Sequence, residues 1–250
     1  MPRIPRNQAE QLVSILSRDL DLASPADILT AAHRHFGAAA AISFSGAEDV
    51  ALLGLAQDAG LDFAVFCLDT GRLHSETYAR LEACRERFAN GLQVYFPQAT
   101  AVEKLVGAKG LYSFRIDGHS ECCGIRKVEP LRRALASAPA WITGQRRDQS
   151  PGTRAQVPVV QIDEAFSGDD GTVLIKFNPL ARWSSSTVWK YIGAAQLPFN
   201  ALHERGFVSI GCEPCTRPIL PGQHEREGRW WWEEATRKEC GLHTKSSDGS

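Results

Sequence analysis

Two pairs of cysteines carry the plainest chemical signal in this sequence. Cys122 and Cys123 are adjacent in ECCGIRK, and Cys212 and Cys215 form a CxxC in GCEPCTR. Two thiolates from each segment make a four-sulfur set suited to zinc or to a cubane iron–sulfur cluster. Vicinal cysteines are unusual for zinc, so the pattern favours iron–sulfur. Cys240 is of another kind. It sits in RKECGLH among polar residues, with Arg237, Lys238 and His243 close in sequence. Cations of that kind stabilise a thiolate, which makes Cys240 a candidate nucleophile. REGR at 226–229 adds Arg226 and Arg229 upstream of it. Cys67 and Cys84 lie on apolar stripes and read as core packing.

A second group of residues suits an anion. In SFSGAEDV (43–50), Ser43, Ser45 and Gly46 precede a predicted helix, whose N-terminal amides and dipole favour negative charge. No GxxxxGK[ST] occurs, so this is not the phosphate loop of ordinary NTPases. CLDTGRLH (67–74) and ITGQRRDQSPGTR (142–154) place Asp-Thr-Gly and Gly-Gln-Arg-Arg at the ends of two further predicted strands. Three such strand ends suit one nucleotide better than three unrelated loops. The Arg146–Arg147 pair is a local candidate for anion binding.

The elements that must position these residues follow from periodicity. Residues 8–20 repeat at helical spacing, and Ser24-Pro25 opens a second helix that Gly37 ends. Short apolar runs then alternate with helices: strands over 38–45, 61–69, 92–96 and 140–145, and helices over 49–59, from Ser75 as cap, over 101–109 and over 125–137. VPVVQID and TVLIKF read as a hairpin, and SSSTVWKYIGAAQ as a capped helix. The last 45 residues show little periodicity. The fold class is therefore α/β, a mostly parallel sheet with helices on both faces and ligands at the strands' C-terminal edge.

With 43% hydrophobic and 23% charged residues, the 250-residue chain is expected to bury one full core. A net charge of −1 speaks against binding nucleic acid by bulk charge. The N-terminus lacks the apolar run of a signal peptide, and no stretch approaches a membrane span. The expectation is a cytoplasmic protein, in which cysteines bind metal or catalyse rather than form disulfides. One domain is expected over 1–243: N-terminal helices through residue 40, a cysteine- and arginine-bearing segment over 205–243, then a disordered tail at 244–250.

Together SFSGAEDV, LDTGRLH, ECCGIRK, TGQRRDQSPGTR, GCEPCTR, REGR and ECGLH resemble the assimilatory adenylyl-sulfate reductases, relatives of the phosphoadenylyl-sulfate reductases. The motifs run from residue 43 to residue 243 in the family's order. The resemblance implies an adenine-nucleotide α-hydrolase type of fold and one 4Fe–4S cluster on Cys122, Cys123, Cys212 and Cys215. It implies Cys240 as nucleophile on a mobile C-terminal segment. It also implies contacts to a sulfonucleotide from Ser43, Ser45, Asp49, Leu68, Lys127, Gly144, Arg154, Arg226, Arg229 and His243. The implied reaction reduces adenosine 5′-phosphosulfate to sulfite and AMP with thioredoxin as donor, in a chain that often forms homo-oligomers. Rival readings are reduction of the 3′-phosphorylated nucleotide, an ATP pyrophosphatase, whose turn usually reads SGGxDS where this chain has SGAEDV, and a zinc-stabilised binding module.

Overall fold

The computed structural model describes residues 3–88, 91–150, 153–168 and 170–233. Its elements in chain order are β1 (Ile4–Pro5), α1 (Arg6–Asp19), α2 (Pro25–Phe36), β2 (Ala41–Ser43), α3 (Ala47–Asp58), β3 (Ala64–Leu68), α4 (Ser75–Phe88), β4 (Leu92–Tyr95) and α5 (Ala99–Lys109). They continue with α6 (Ser120–Cys123), a π-helical turn at Gly124–Val128, α7 (Glu129–Leu135), β5 (Ala140–Ile142), β6 (Val160–Asp163), β7 (Thr172–Phe177) and α8 (Ser185–Ala194).

The sheet runs β4-β3-β2-β5-β7, all parallel, with β6 and β1 pairing antiparallel to β7. The chain leaves β2 toward β3 and β4, then returns to build β5 and β7 on the other side. The crossover direction reverses between β2 and β5, and a ligand crevice opens beyond the strand ends at such a point. The loops after β2 and β5 are the Ser-Gly turn and the Gly-Gln-Arg-Arg segment.

Alternation along the strands divides two cores. Ile42, Val65, Cys67, Ile142, Ile175 and Phe177 face α1, α2, α3, α4 and α8. Ala41, Phe66, Trp141 and Leu174, one residue out of phase, face α7. Cys67 and Cys84 are both buried in the first core, where burial pushes their thiols up to about 12 and about 11. Both are packing residues, as their apolar stripes indicate. The N-terminal helices pack the same face, and Arg3 donates to the carbonyls of Leu135, Ala138 and Phe166.

Helix starts follow their caps. Ser24 Oγ accepts the Asp27 N–H at 3.2 Å with Pro25 at the first helical position, and Ser184 Oγ accepts the Thr187 N–H at 3.1 Å. Three local expectations change. The run over 38–45 contributes only Ala41–Ser43 as strand, because Gly37–Ala39 winds into a 3-10 turn. Ser75 is the first residue of α4 rather than its cap, and its hydroxyl donates to Glu76. The helix over 125–137 starts earlier, at Ser120, and widens into the π turn just after Cys123. Such turns are frequent at functional sites. The hairpin forms as read, with Val160 opposite Phe177.

Candidate active site

At the sheet's switch point a cleft encloses about 230 Å³. Ser43 and Ser45 line it from the end of β2, and Leu68 from the end of β3. Lys127 reaches it from the π turn, and Arg154, Arg226 and Arg229 from the loops beyond β5 and α8. Cys212 lines it as well, so the cleft touches the cysteine site. Seven of the expected contact residues thus share one cavity.

Asp49 and Gly144 stand behind the wall instead, outside the lining. Asp49 Oδ2 accepts the Ser45 N–H at 2.7 Å, the Ser45 hydroxyl at 3.0 Å and the Gly46 N–H at 2.8 Å; its Oδ1 accepts the Gly144 N–H at 3.2 Å. Burial pushes this carboxyl up to about 6, with Glu48 adding to the rise against the turn's amides. Gly144 is required by close approach: a Cβ there would lie 2.5 Å from the Glu48 Cβ. Asp49 therefore joins the loops after β2 and β5 and fixes the Ser45–Gly46 turn from behind.

Arg80, on α4, escaped the motif reading. Its guanidinium donates to the carbonyls of Ser45 (3.0 Å) and Gly46 (3.1 Å) while stacking over Phe44 at 4.6 Å, and it is buried. A lone arginine on a helix face carries no signal in one sequence. Arg146 differs from its expected role. It is 1% exposed and pairs with Glu48 at 3.0 Å, Glu225 at 3.1 Å and Asp148, while Arg147 Nε donates to the Val157 carbonyl. Arg146 is already occupied by carboxylates and ties three cleft segments together. Burial pushes Glu225 up to about 7 despite that partner.

The cysteine site adjoins the cleft. Cys123, Cys212 and Cys215 pack with Phe114 and Trp230, and Cys122 borders them. All four sulfur residues line one small cavity of about 10 Å³ with Arg72, His119, Arg126 and Lys127. Among the described residues no three His, Cys, Asp or Glu side chains already form a site for a single metal ion. The fit to a metal group therefore rests on the donor set and its charge environment. Burial pushes the Cys212 thiol up, but Lys127, the Thr70 hydroxyl at 3.2 Å, Arg229 and Arg72 outweigh it and hold it below its ordinary value. Cys215 lacks that balance, and burial and the neighbouring Cys212 push it up to about 12. Four soft sulfur donors ringed by cations fit an anionic iron–sulfur cluster.

Trp230 joins the two parts. It is fully buried, with Arg229 at 4.5 Å, Lys127 at 5.6 Å and Arg226 at 5.9 Å from its ring, and its backbone N–H donates to the Cys215 carbonyl. Its aromatic face gathers cations at the border of cleft and cysteines. The neighbouring tryptophans in the sequence gave no sign of which would do this. Cys240, His243 and the tail 244–250 lie outside the described residues.

A phosphoadenosine phosphosulfate reductase domain model matches residues 39–218. The chain is 58% identical over 239 residues to an adenosine 5′-phosphosulfate reductase of Pseudomonas aeruginosa, covering 96% of this chain and 89% of that one. It is 55% identical over 230 residues to a chloroplastic 5′-adenylylsulfate reductase of Arabidopsis thaliana, covering 91% of this chain and 50% of the plant protein. A crystal structure of a phosphoadenylyl-sulfate reductase from Candida auris shares the fold, with a TM-score of 0.68 at 24% identity over 82% of this chain and 96% of that one.

Proposed function

The chain belongs to the phosphoadenosine phosphosulfate reductase family, and from that membership we propose that it reduces adenosine 5′-phosphosulfate to sulfite and AMP. It has the adenine-nucleotide α-hydrolase type of fold. One observation carries the substrate reading. A single cleft runs from a Ser-Gly turn at a helix N-terminus to Lys127, Arg226 and Arg229 beside Cys212. That is a nucleotide end and a cationic end in one cavity.

In this reading the Ser43–Ser45 turn, Leu68 and Arg154 hold the nucleotide, with Asp49 and Gly144 shaping the turn from behind. Lys127, Arg226 and Arg229 neutralise the sulfate so that an anionic nucleophile can approach, and they offset charge developing on the leaving phosphate. His243 is the further expected contact. The Cys240 thiolate attacks the sulfur, the sulfur–oxygen bond to phosphate breaks, and AMP leaves with the electron pair. A thiolate of a thioredoxin-type donor then attacks Cys240 Sγ, sulfite departs, and the donor's second thiol closes its disulfide. Cys122, Cys123, Cys212 and Cys215 would hold one 4Fe–4S cluster, which when bound anchors the 122–127 segment and adds a local field at Lys127. The thiol chemistry suits a reducing compartment, which we take to be the cytoplasm. No described helix is long and apolar enough to cross a membrane.

The test is anaerobic sulfite release from adenylyl sulfate and from its 3′-phosphorylated form, with thioredoxin, on wild type and Cys240→Ser. Sulfite from the unphosphorylated substrate that disappears in the variant is the expected result. No sulfite from either substrate in brown protein sinks the proposal. Preference for the phosphorylated form would reassign the substrate, and magnesium-dependent pyrophosphate release from ATP would reassign the reaction.

A further inference from the structure

Among the described residues, nine line the small cavity of the four cysteines, and seven of those are buried. The two that reach solvent are Arg72 and Cys122. The buried part of the wall is tied inward. Arg126 Nη1 donates to the Thr70 carbonyl at 2.7 Å. The Glu233 carboxylate accepts the His119 backbone N–H at 2.8 Å and lies 2.6 Å from His119 Nδ1. The side that meets solvent is held by Arg72.

Arg72 stands in LDTGRLH, just beyond the turn that follows β3, and does not line the nucleotide cleft. Its backbone carbonyl accepts the Glu213 N–H at 2.8 Å, between the two cysteines of the CxxC. Its Nη2 donates to the Leu111 carbonyl at 2.7 Å, and its guanidinium lies 5.3 Å from the centre of the Phe114 ring. Phe114 in turn packs against the cysteines. One residue thus fastens the 111–114 stretch to the turn after β3 and to the CxxC segment. Burial pushes the Cys122 thiol up, with Arg126 and then Arg72 opposing the rise, so the guanidinium is close enough to act on that sulfur.

The stretch between α5 and α6 needs such a fastening. Leu111, Tyr112 and Ile116 are 58%, 57% and 86% exposed, and their apolar surface contributes little burial. Ser113 and Phe114 are the buried residues of 110–117. A segment with so few buried apolar contacts opens locally at low cost. A hydrogen bond from a charged donor is roughly twice as strong as a neutral one, so the bond from Arg72 to Leu111 weighs heavily there.

We propose that Arg72 guards the rim of the cysteine site: by holding the 111–114 stretch beside Cys122 it keeps small solutes from the metal group, and so sets how long that group survives rather than how nucleotide binds. This rests on the reading of the four cysteines as ligands of one 4Fe–4S cluster. Taking ferrous iron from such a cluster with a chelator is ligand exchange: iron–sulfur bonds break, iron–chelator bonds form, and no electron moves. Its rate follows how often the rim opens.

The experiment uses cluster-loaded full-length protein under anaerobic conditions with excess 2,2′-bipyridine, a neutral chelator that the local charge does not steer. Loss of cluster absorbance is followed beside starting iron per chain and AMP affinity. Arg72→Met keeps an unbranched stem and removes the guanidinium. It should lose absorbance at least about 10-fold faster than wild type, with starting iron and AMP affinity unchanged. Arg72→Lys keeps a charged donor for the Leu111 carbonyl and should fall between the two. Loss at the wild-type rate in Arg72→Met overturns the proposal. Faster loss with weakened AMP binding also overturns it, since that marks a general loosening of the fold. Equal acceleration in both variants overturns the charged bond as the fastening, and an Arg72→Met protein that never loads iron assigns the residue to assembly instead. Wild type that holds no iron after reconstitution sinks the cluster reading itself, a result no variant can imitate.

Discussion

The two ends of the cleft are built by different physics. At the nucleotide end the decisive bonds are short in sequence: Asp49 receives Ser45 and Gly46 within one turn, at the start of the helix it belongs to. The sheet delivers this turn to the switch point, and Gly144 and Arg80 come from further away to lock it. At the cysteine end the local turns, α6 with its π turn and a 3-10 turn at Glu213–Cys215, do not by themselves bring the sulfurs together. Phe114, Cys123, Cys212, Cys215 and Trp230 meet from segments far apart in the chain, held by ring faces, cations and one carboxylate 114 positions from its partner. A site assembled by such distant closure gains most from a bound metal group, because ligand binding there also contributes folding free energy.

The largest effect should come from the proposed nucleophile. Cys240→Ser should lower sulfite release by at least about 10³-fold while leaving AMP affinity intact, because in the proposed mechanism Cys240 acts only as the nucleophile. Turnover assayed beside equilibrium AMP binding decides this. If Cys212 is one of the proposed ligands, Cys212→Ser should reduce cluster content at least about 10-fold, as loss of a direct ligand exceeds the usual penalty for losing a supporting contact. Absorbance and iron content per chain check it, and unchanged content would remove Cys212 from the ligand set.

Effects at the nucleotide end should be graded rather than absolute. Gly144→Ala places a Cβ 2.5 Å from that of Glu48, and overpacking of this kind costs about 1–3 kcal/mol. Thermal unfolding should show it, with a raised KM. Arg80→Met leaves the Ser45 and Gly46 carbonyls without their donor and should raise KM about 10-fold, near 1.4 kcal/mol, with cluster content unchanged. Parallel loss of cluster would show that the two ends are not separable.

The smallest effect is one of pH. Asp49 is raised from 3.8 to about 6 in the fold. Between those values the native state holds a proton that the unfolded chain has lost, so this group's contribution to stability falls as pH rises through that window. Above about 6 its charge is held by the turn's amides at a constant cost. Denaturant midpoints from pH 4 to 7 should show a shallower slope in Asp49→Asn than in wild type.

Much of this was legible in advance where the relevant spacing is short. The parallel sheet, the hairpin, the serine caps at Ser24 and Ser184, and the buried roles of Cys67 and Cys84 all follow from periodicity and local hydrogen-bonding chemistry. So do both cysteine pairs as candidate ligands, since adjacency and CxxC are local facts. Arg146 reads locally as a candidate for anions, whereas its guanidinium is held by Glu48 and Glu225, 98 and 79 positions away.

The sequence by itself determined which chemistry is available: soft sulfur donors, a helix start suited to an anion, and basic residues near a cysteine. Only the tertiary structure decided which groups share a cavity. It set Asp49 and Gly144 behind the wall, tied up Arg146, and selected Trp230 from three consecutive tryptophans to gather Lys127, Arg226 and Arg229. The reason is physical. Local propensity and spacing act over one or two turns of chain, whereas burial, charge pairing and ring stacking depend on distance in space, which is settled only once the sheet and its two cores have packed.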